Sequence, residues 1–143
     1  MGNDLQTTDT YTDHAWHHWA CVFEYSTTTQ TGKRIIYKDG SLAAQEASEG
    51  SPYLNYGKYT IGNYFGDKYF KGQLDEIRIW QTARTQEEIQ SNMSVRLAGN
   101  ETGLAGYWRR NDNRKLTACD NRKLTTPFNK KLGIKKLIIS YFK

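Results

Sequence analysis

Apolar and polar positions alternate most clearly over residues 75–80. Asp75, Ile77 and Ile79 fall on one face there, and Glu76, Arg78 and Trp80 on the other. A period of two with β-branched and aromatic residues predicts a strand. The pattern stops at Gln81-Thr82-Ala83-Arg84, and Thr85-Gln86-Glu87-Glu88 follows. A threonine three residues ahead of a glutamate can exchange side-chain and amide hydrogen bonds with it, so a short helix is expected near 86–93. Ile89 and Met93, four apart, would form its apolar stripe.

Upstream, residues 16–25 read as a strand with Trp16, His18, Ala20 and Val22 on one face and His17, Trp19, Cys21, Phe23 and Tyr25 on the other. Apolar side chains on both faces predict a strand covered on both sides. Residues 26–32 are rich in turn formers. Residues 33–37 form the next strand, and Lys38-Asp39-Gly40 should reverse it, since Asp-Gly supplies the positive φ angles of a tight hairpin turn. Residues 41–45 return, 46–52 read as a loop, and 58–62 as another short strand. An exposed loop is expected at 63–68, a turn at 97–103, and a last strand from Leu104 to Arg109.

These pieces carry a family resemblance. Gly-x-x-Asp-Glu-x-Arg-Ile-Trp at 72–80 is followed by Ala83-Arg84-Thr85 and Glu88-Ile89. With it go Trp16-His17-His18-Trp19-Ala20, Ile36-Tyr37-Lys38-Asp39-Gly40, Ile61-Gly62 and Gly103-Leu104-Ala105-Gly106-Tyr107-Trp108. In this order the segments resemble the laminin-G/pentraxin-like jelly-roll domain of the concanavalin A-like lectin/glucanase superfamily. The resemblance implies an all-β fold, an antiparallel jelly-roll β-sandwich with one short helix. It also implies opening strands ahead of Trp16 that are not evident here, so the sandwich is expected to be incomplete. The expected organisation is a polar lead-in at 1–13, the jelly-roll domain at 14–123 and a basic tail at 124–143.

Composition changes this picture in one respect. The chain of 143 residues has a net charge of +5, yet residues 1–108 hold 9 Lys/Arg against 13 Asp/Glu, a balance of −4. Residues 109–143 hold 11 against 2, a balance of +9. The basic character belongs to the tail, where no aromatic interleaving supports a specific nucleic-acid partner. The tail departs from the family in other ways. Arg110 stands where the resemblance calls for a phenylalanine, and Asp-Asn-Arg-Lys-Leu-Thr occurs at 112–117 and again at 120–125, too short a repeat for a solenoid. Ile134, Leu137, Ile138 and Tyr141 have helical spacing among lysines, which reads either as an irregular terminus or as a basic amphipathic helix. No run approaches the roughly 18 apolar residues of a membrane span, and no signal peptide is visible. Cys21, mid-strand, reads as a small buried hydrophobe, and it and Cys119 show neither a C-x-x-C nor a zinc spacing.

Catalysis finds no support in the residues. Glycosidases of this fold place acids as Glu-x-Asp-x-x-Glu on one strand, setting two carboxyls about 5–5.5 Å apart for retention. That spacing is absent, and Asp75 and Glu76, adjacent on a strand, point to opposite faces. Asp75 is expected to tie off a loop, and Glu76 to pair Arg78 or a neighbouring strand. His14 and His18 stand about 13 Å apart on a strand and His17 points the other way, so packing and hydrogen bonding near Trp16 and Trp19 is expected instead of a metal. Calcium fits better. In pentraxin-like relatives the loop after Ile-Gly carries acidic and amide ligands, and the matching loop here offers Asn63 and Asp67, to which other loops or water would have to add. Seven aromatic residues lie within 53–70, and Tyr64 and Phe65 sit at the loop tip beside Asn63 and Asp67. Aromatic planes stack on the apolar faces of sugars while amides and carboxylates bind hydroxyls. Two Asn-x-Ser/Thr sequons, at Asn92 and Asn100, would matter only in a eukaryotic secretory pathway.

By resemblance, then, the chain is expected to be a non-catalytic recognition module of a larger extracellular or cell-surface protein. It would bind carbohydrate or protein through Asn63, Tyr64, Phe65 and Asp67, with calcium as the candidate cofactor. A structural spacer without ligand and an accessory domain of a secreted glycoside hydrolase are the alternatives.

Overall fold

The computed structural model describes residues 5–49, 63–64 and 68–109. Along these residues the strands are β1 (Trp19–Ser26), β2 (Thr31–Lys38), β3 (Ser41–Glu49), β4 (Asn63–Tyr64), β5 (Lys68–Tyr69), β6 (Ile77–Trp80) and β7 (Leu104–Trp108). One helix, α1 (Gln86–Asn92), lies between β6 and β7. Their pairing is antiparallel throughout: β1-β2-β3 form one sheet, β4-β5 and β6-β7 two smaller ones. This is an all-β chain with one short helix, and it fits part of a β-sandwich.

Register explains the core. Ala20 pairs with Tyr37 and Val22 with Ile35, so four apolar residues of β1 and β2 share one face, and all four are buried. Trp80 of β6, Ile89 of α1 and Leu97 close over them, with Leu104 and Tyr107 of β7 half-buried at the edge. The other face of β1 is not covered as expected. Cys21 is exposed and Trp19, Phe23 and Tyr25 are only half-buried. The alternation that reads as two-sided burial is one-sided by exposure, although the protein around the Cys21 sulfur still pushes its thiol pKa up.

The β2–β3 turn is as the sequence requires. Asp39 has φ 51° and Gly40 φ 75°, both in the left-handed region that an Asp-Gly hairpin turn uses. The helix then docks on this turn: the side-chain amides of Gln86 and Gln90 each donate to the Gly40 carbonyl at 2.9 Å. At its start Thr85 Oγ1 accepts from the Glu88 amide at 3.2 Å, while Glu88 Oε2 accepts from the Thr85 amide at 3.0 Å. Ile89 is buried and Met93, at the C-cap, half-buried.

Several boundaries move. β1 starts at Trp19, three residues after the expected Trp16, and β3 continues to Glu49 through what reads as a loop, paired along β2 down to Thr31. A bulge between Ile36 and Tyr37 shifts the register of that pair. Part of the loop expected at 63–68 is strand, since Asn63 pairs with Tyr69 and Tyr64 with Lys68. β6 begins only at Ile77, because Glu76 takes a left-handed conformation at φ 51°. The strand expected at 58–62, Cys119, the repeat at 112–125 and the helical spacing at 134–141 lie outside the described residues. No helix among the described residues is long and apolar enough to cross a membrane.

Candidate functional site

The loop singled out for ligand or calcium is the connection of the β4–β5 hairpin. The structure places the backbone of Asn63 and Tyr64 in β4, separated by residues 65–67 from β5. Phe65 and Asp67, and the side chains of Asn63 and Tyr64, lie outside the described residues. Among the described residues no group of three or more His, Cys, Asp or Glu side chains could hold a metal ion.

A second constellation forms where β6 leaves its turn. The Glu76 amide donates to Asp75 Oδ1 at 2.8 Å, which fixes the left-handed bend and tilts Glu76 toward the strand. Glu76 Oε2 then accepts from Arg78 Nη2 at 3.1 Å and from the Tyr107 hydroxyl at 2.6 Å. Arg78 is 3% exposed and also donates to the carbonyls of Asn92, at 2.8 Å, and Val95, at 2.5 Å. One guanidinium thus joins β6 to the end of α1 and to the segment after it. Burial, followed by the hydrogen bond to Glu76, pushes the Tyr107 phenol up to about 12, so it remains a donor at ordinary pH. The expectation that Glu76 pairs Arg78 and that Asp75 ties off a turn is met.

Grooves open on two sides of Arg78. One, of about 260 Å³, lies between β6 and α1 and includes His18, Arg84 and Glu88. Arg84 lies over the Trp80 ring at 3.9 Å and bonds Glu88 at 3.1 Å, one helical turn away. The other groove, of about 320 Å³, is lined by Trp16, Asp75, Glu76, Arg78, Met93, Ser94, Val95 and Arg96. Three large hydrophobic residues stand exposed among the described residues, and two of them, Trp16 at 42% and Val95 at 49%, line this groove. Sequence pattern hides this site. Trp16 reads as the first residue of a packed strand, whereas it lies ahead of β1, beside a single bridge residue at His17. The lone signal is the closeness of Asp75, Glu76 and Arg78 along the chain, which reads as structural.

The histidines divide by burial. His18 is 6% exposed, and burial, with the nearby positive charge of Arg78 second, pulls its pKa down to about 4. It is therefore a neutral core residue. His17 lies between two carboxylates, Nδ1 at 2.7 Å from Asp39 Oδ2 and Nε2 at 2.8 Å from Asp13 Oδ1. The carboxylates flank the ring from opposite ends and do not converge on one point.

No curated protein and no solved structure matches the chain. A laminin G-type family model described as the concanavalin A-like lectin/glucanases superfamily matches residues 2–90 of the 143, from the lead-in through β6 and into α1. With more than half its length matched, and with antiparallel sheets packed through a common core, the chain belongs to the concanavalin A-like lectin/glucanases superfamily.

Proposed function

We propose that this domain is a non-catalytic recognition module that binds carbohydrate, as part of an extracellular or cell-surface protein. The observation that carries the reading is the groove at Trp16. It sets an exposed indole beside the carboxylates of Asp75 and Glu76, the arginines Arg78 and Arg96, and Ser94. Sugar rings need that combination, a flat apolar platform for their C–H face and acceptors and donors for their hydroxyls. About 320 Å³ is at the low end of the range for ligand pockets, roughly 300–1,000 Å³, which suits one or two sugar rings. Glu76 suits binding more than proton transfer, because one oxygen already accepts from both Arg78 and Tyr107.

The β4–β5 hairpin connection with Asn63, Tyr64, Phe65 and Asp67 is the second proposed contact, and calcium its proposed cofactor. Calorimetric titration with mono- and oligosaccharides, with and without calcium, tests both. Trp16→Ala should weaken binding about tenfold, equivalent to ~1.4 kcal/mol, and Tyr64→Ala should weaken it if the hairpin also touches the ligand. Affinities within twofold of wild type in both variants would remove carbohydrate from either place. Turnover of a polysaccharide would overturn the non-catalytic reading outright.

A further inference from the structure

The geometry points to His17 as a proton-operated clasp that holds the segment bearing Trp16 in place, closed when the imidazole is charged and released when it is neutral. Both ring nitrogens face carboxylates, Nδ1 that of Asp39 and Nε2 that of Asp13, whose second oxygen also lies at 3.0 Å. An ionised carboxylate only accepts hydrogen bonds, so both contacts are satisfied together only if both nitrogens carry protons. A neutral imidazole keeps one bond and turns a lone pair toward the other carboxylate.

The two carboxylates are not equally anchored. Asp39 is part of the hairpin turn, where its Oδ1 accepts from the His18 amide at 2.8 Å and its own amide donates to the His18 carbonyl at 2.8 Å. Asp13 is exposed, and its further contact is a 3.4 Å bond from the Ala15 amide. Because Asp39 is held by the His18 backbone and Asp13 is not, a neutral ring that keeps its proton on Nδ1 frees Asp13 and leaves Asp39 where it is. Trp16 sits between Asp13 and His17 in the chain, so the position of its indole in the groove follows the state of the clasp.

The surrounding charges act in the same direction. Hydrogen bonds to Asp39 and then Asp13 hold the His17 pKa above the ordinary 6.5, against a smaller opposing effect of burial. The hydrogen bond to His17 holds the Asp13 carboxyl below its ordinary value. From β2, Lys38 lies over the Tyr11 ring at 4.5 Å and favours the charged form of Asp13. His18, the next residue, is buried and neutral. Tyr11 meets Trp19 edge-on at 4.7 Å, so the lead-in has an apolar hold on β1 that the clasp supplements.

The effect on ligand rests on the groove being the binding site; the clasp does not. The test is an NMR titration of the whole chain, following the His17 ring and the Trp16 indole N–H, in wild type and in Asp13→Asn. In wild type, His17 should titrate above 6.5 and the Trp16 resonance should shift with the same midpoint. In Asp13→Asn, which keeps a neutral side chain of the same size, the His17 midpoint should fall and the Trp16 shift should vanish. A wild-type His17 midpoint at or below 6.5, or a Trp16 resonance indifferent to it, overturns the clasp. Saccharide affinity measured below and above the midpoint separates the two claims. Affinity that is flat while the clasp signature is present overturns the gating. Absence of saccharide binding at both pH values overturns the binding reading and leaves the clasp to be decided by the resonances.

Discussion

Replacing Arg78 by methionine removes a group that ties β6, the end of α1 and the following segment together. The side chain is 3% exposed, and its donors reach the Asn92 carbonyl, the Val95 carbonyl and Glu76. Methionine fills most of the aliphatic volume, so the loss is polar. The Val95 carbonyl and Glu76 lose a charged donor, while the Asn92 carbonyl keeps the Val95 amide at 3.1 Å. Hydrogen bonds to charged groups contribute roughly 1.5–3 kcal/mol each. Removing one partner of a buried ion pair costs about 3–5 kcal/mol. Glu76 is 23% exposed and keeps Tyr107, so solvent relieves part of that, and a cost of about 3 kcal/mol is expected. For a chain of 143 residues each kcal/mol is worth about 3–4 °C in Tm, so the variant should melt roughly 10 °C lower. Urea unfolding of wild type, Arg78→Met, Glu76→Gln and the double variant would measure the coupling. The double variant should be less destabilised than the sum of the singles, because a neutral glutamine amide beside methionine leaves no unpaired charge behind. A cost under about 1 kcal/mol for Arg78→Met, or additive singles, would refute the reasoning.

Two further outcomes follow from local geometry. Gly40→Ala places a Cβ at φ 75° and 2.6 Å from Gln90 Cγ. The left-handed conformation alone costs an alanine about 1–2 kcal/mol, and displacing Gln90 also strains its bond to the Gly40 carbonyl. A destabilisation of about 2 kcal/mol in urea is expected, larger than for Gly40→Asn, and equal costs for the two would count against the backbone argument. In the pH dependence of stability the two adjacent histidines act in opposite senses. The lowered pKa of His18 makes stability fall as pH drops from 6.5 toward 4, since the unfolded chain binds the proton more readily. The raised pKa of His17 adds stability that is complete below 6.5 and is lost as pH rises through its higher folded value. Together they place a maximum near pH 6.5 in a stability–pH profile. His17→Gln should remove the decline on the alkaline side alone, and an unchanged decline would show that another group causes it.

Local chemistry was legible in the sequence where one short motif decides one geometry. Asp39-Gly40 dictated its turn, and Thr85 with Glu88 dictated the start of α1. The core face of β1 was not: apolar residues stand on both of its faces, and of these only Ala20 and Val22 are buried. What escaped was set by contacts that composition and period do not carry. Glu76 leaves the strand pattern because Asp75 captures its amide, a choice that alternation cannot register. β3 extends past Gln45 because β2 offers it a partner as far as Thr31, whatever the turn-like composition of 46–49. The lead-in has no apolar period, yet Tyr11 and Asp13 are held by Trp19 and His17. The aromatic wealth of 53–70 drew attention to the hairpin connection, while the groove at Trp16 is assembled from three separate stretches that no motif joins.

The claim most in need of a direct test is that the Trp16 groove takes a sugar. Two-dimensional NMR of the labelled chain, titrated with a panel of neutral and acidic saccharides, would read it. Saturable shifts clustered at Trp16, Glu76, Ser94 and Arg96 are expected, and their loss in Trp16→Ala with the fold intact. Shifts elsewhere that survive Trp16→Ala, or none with any saccharide, would contradict it.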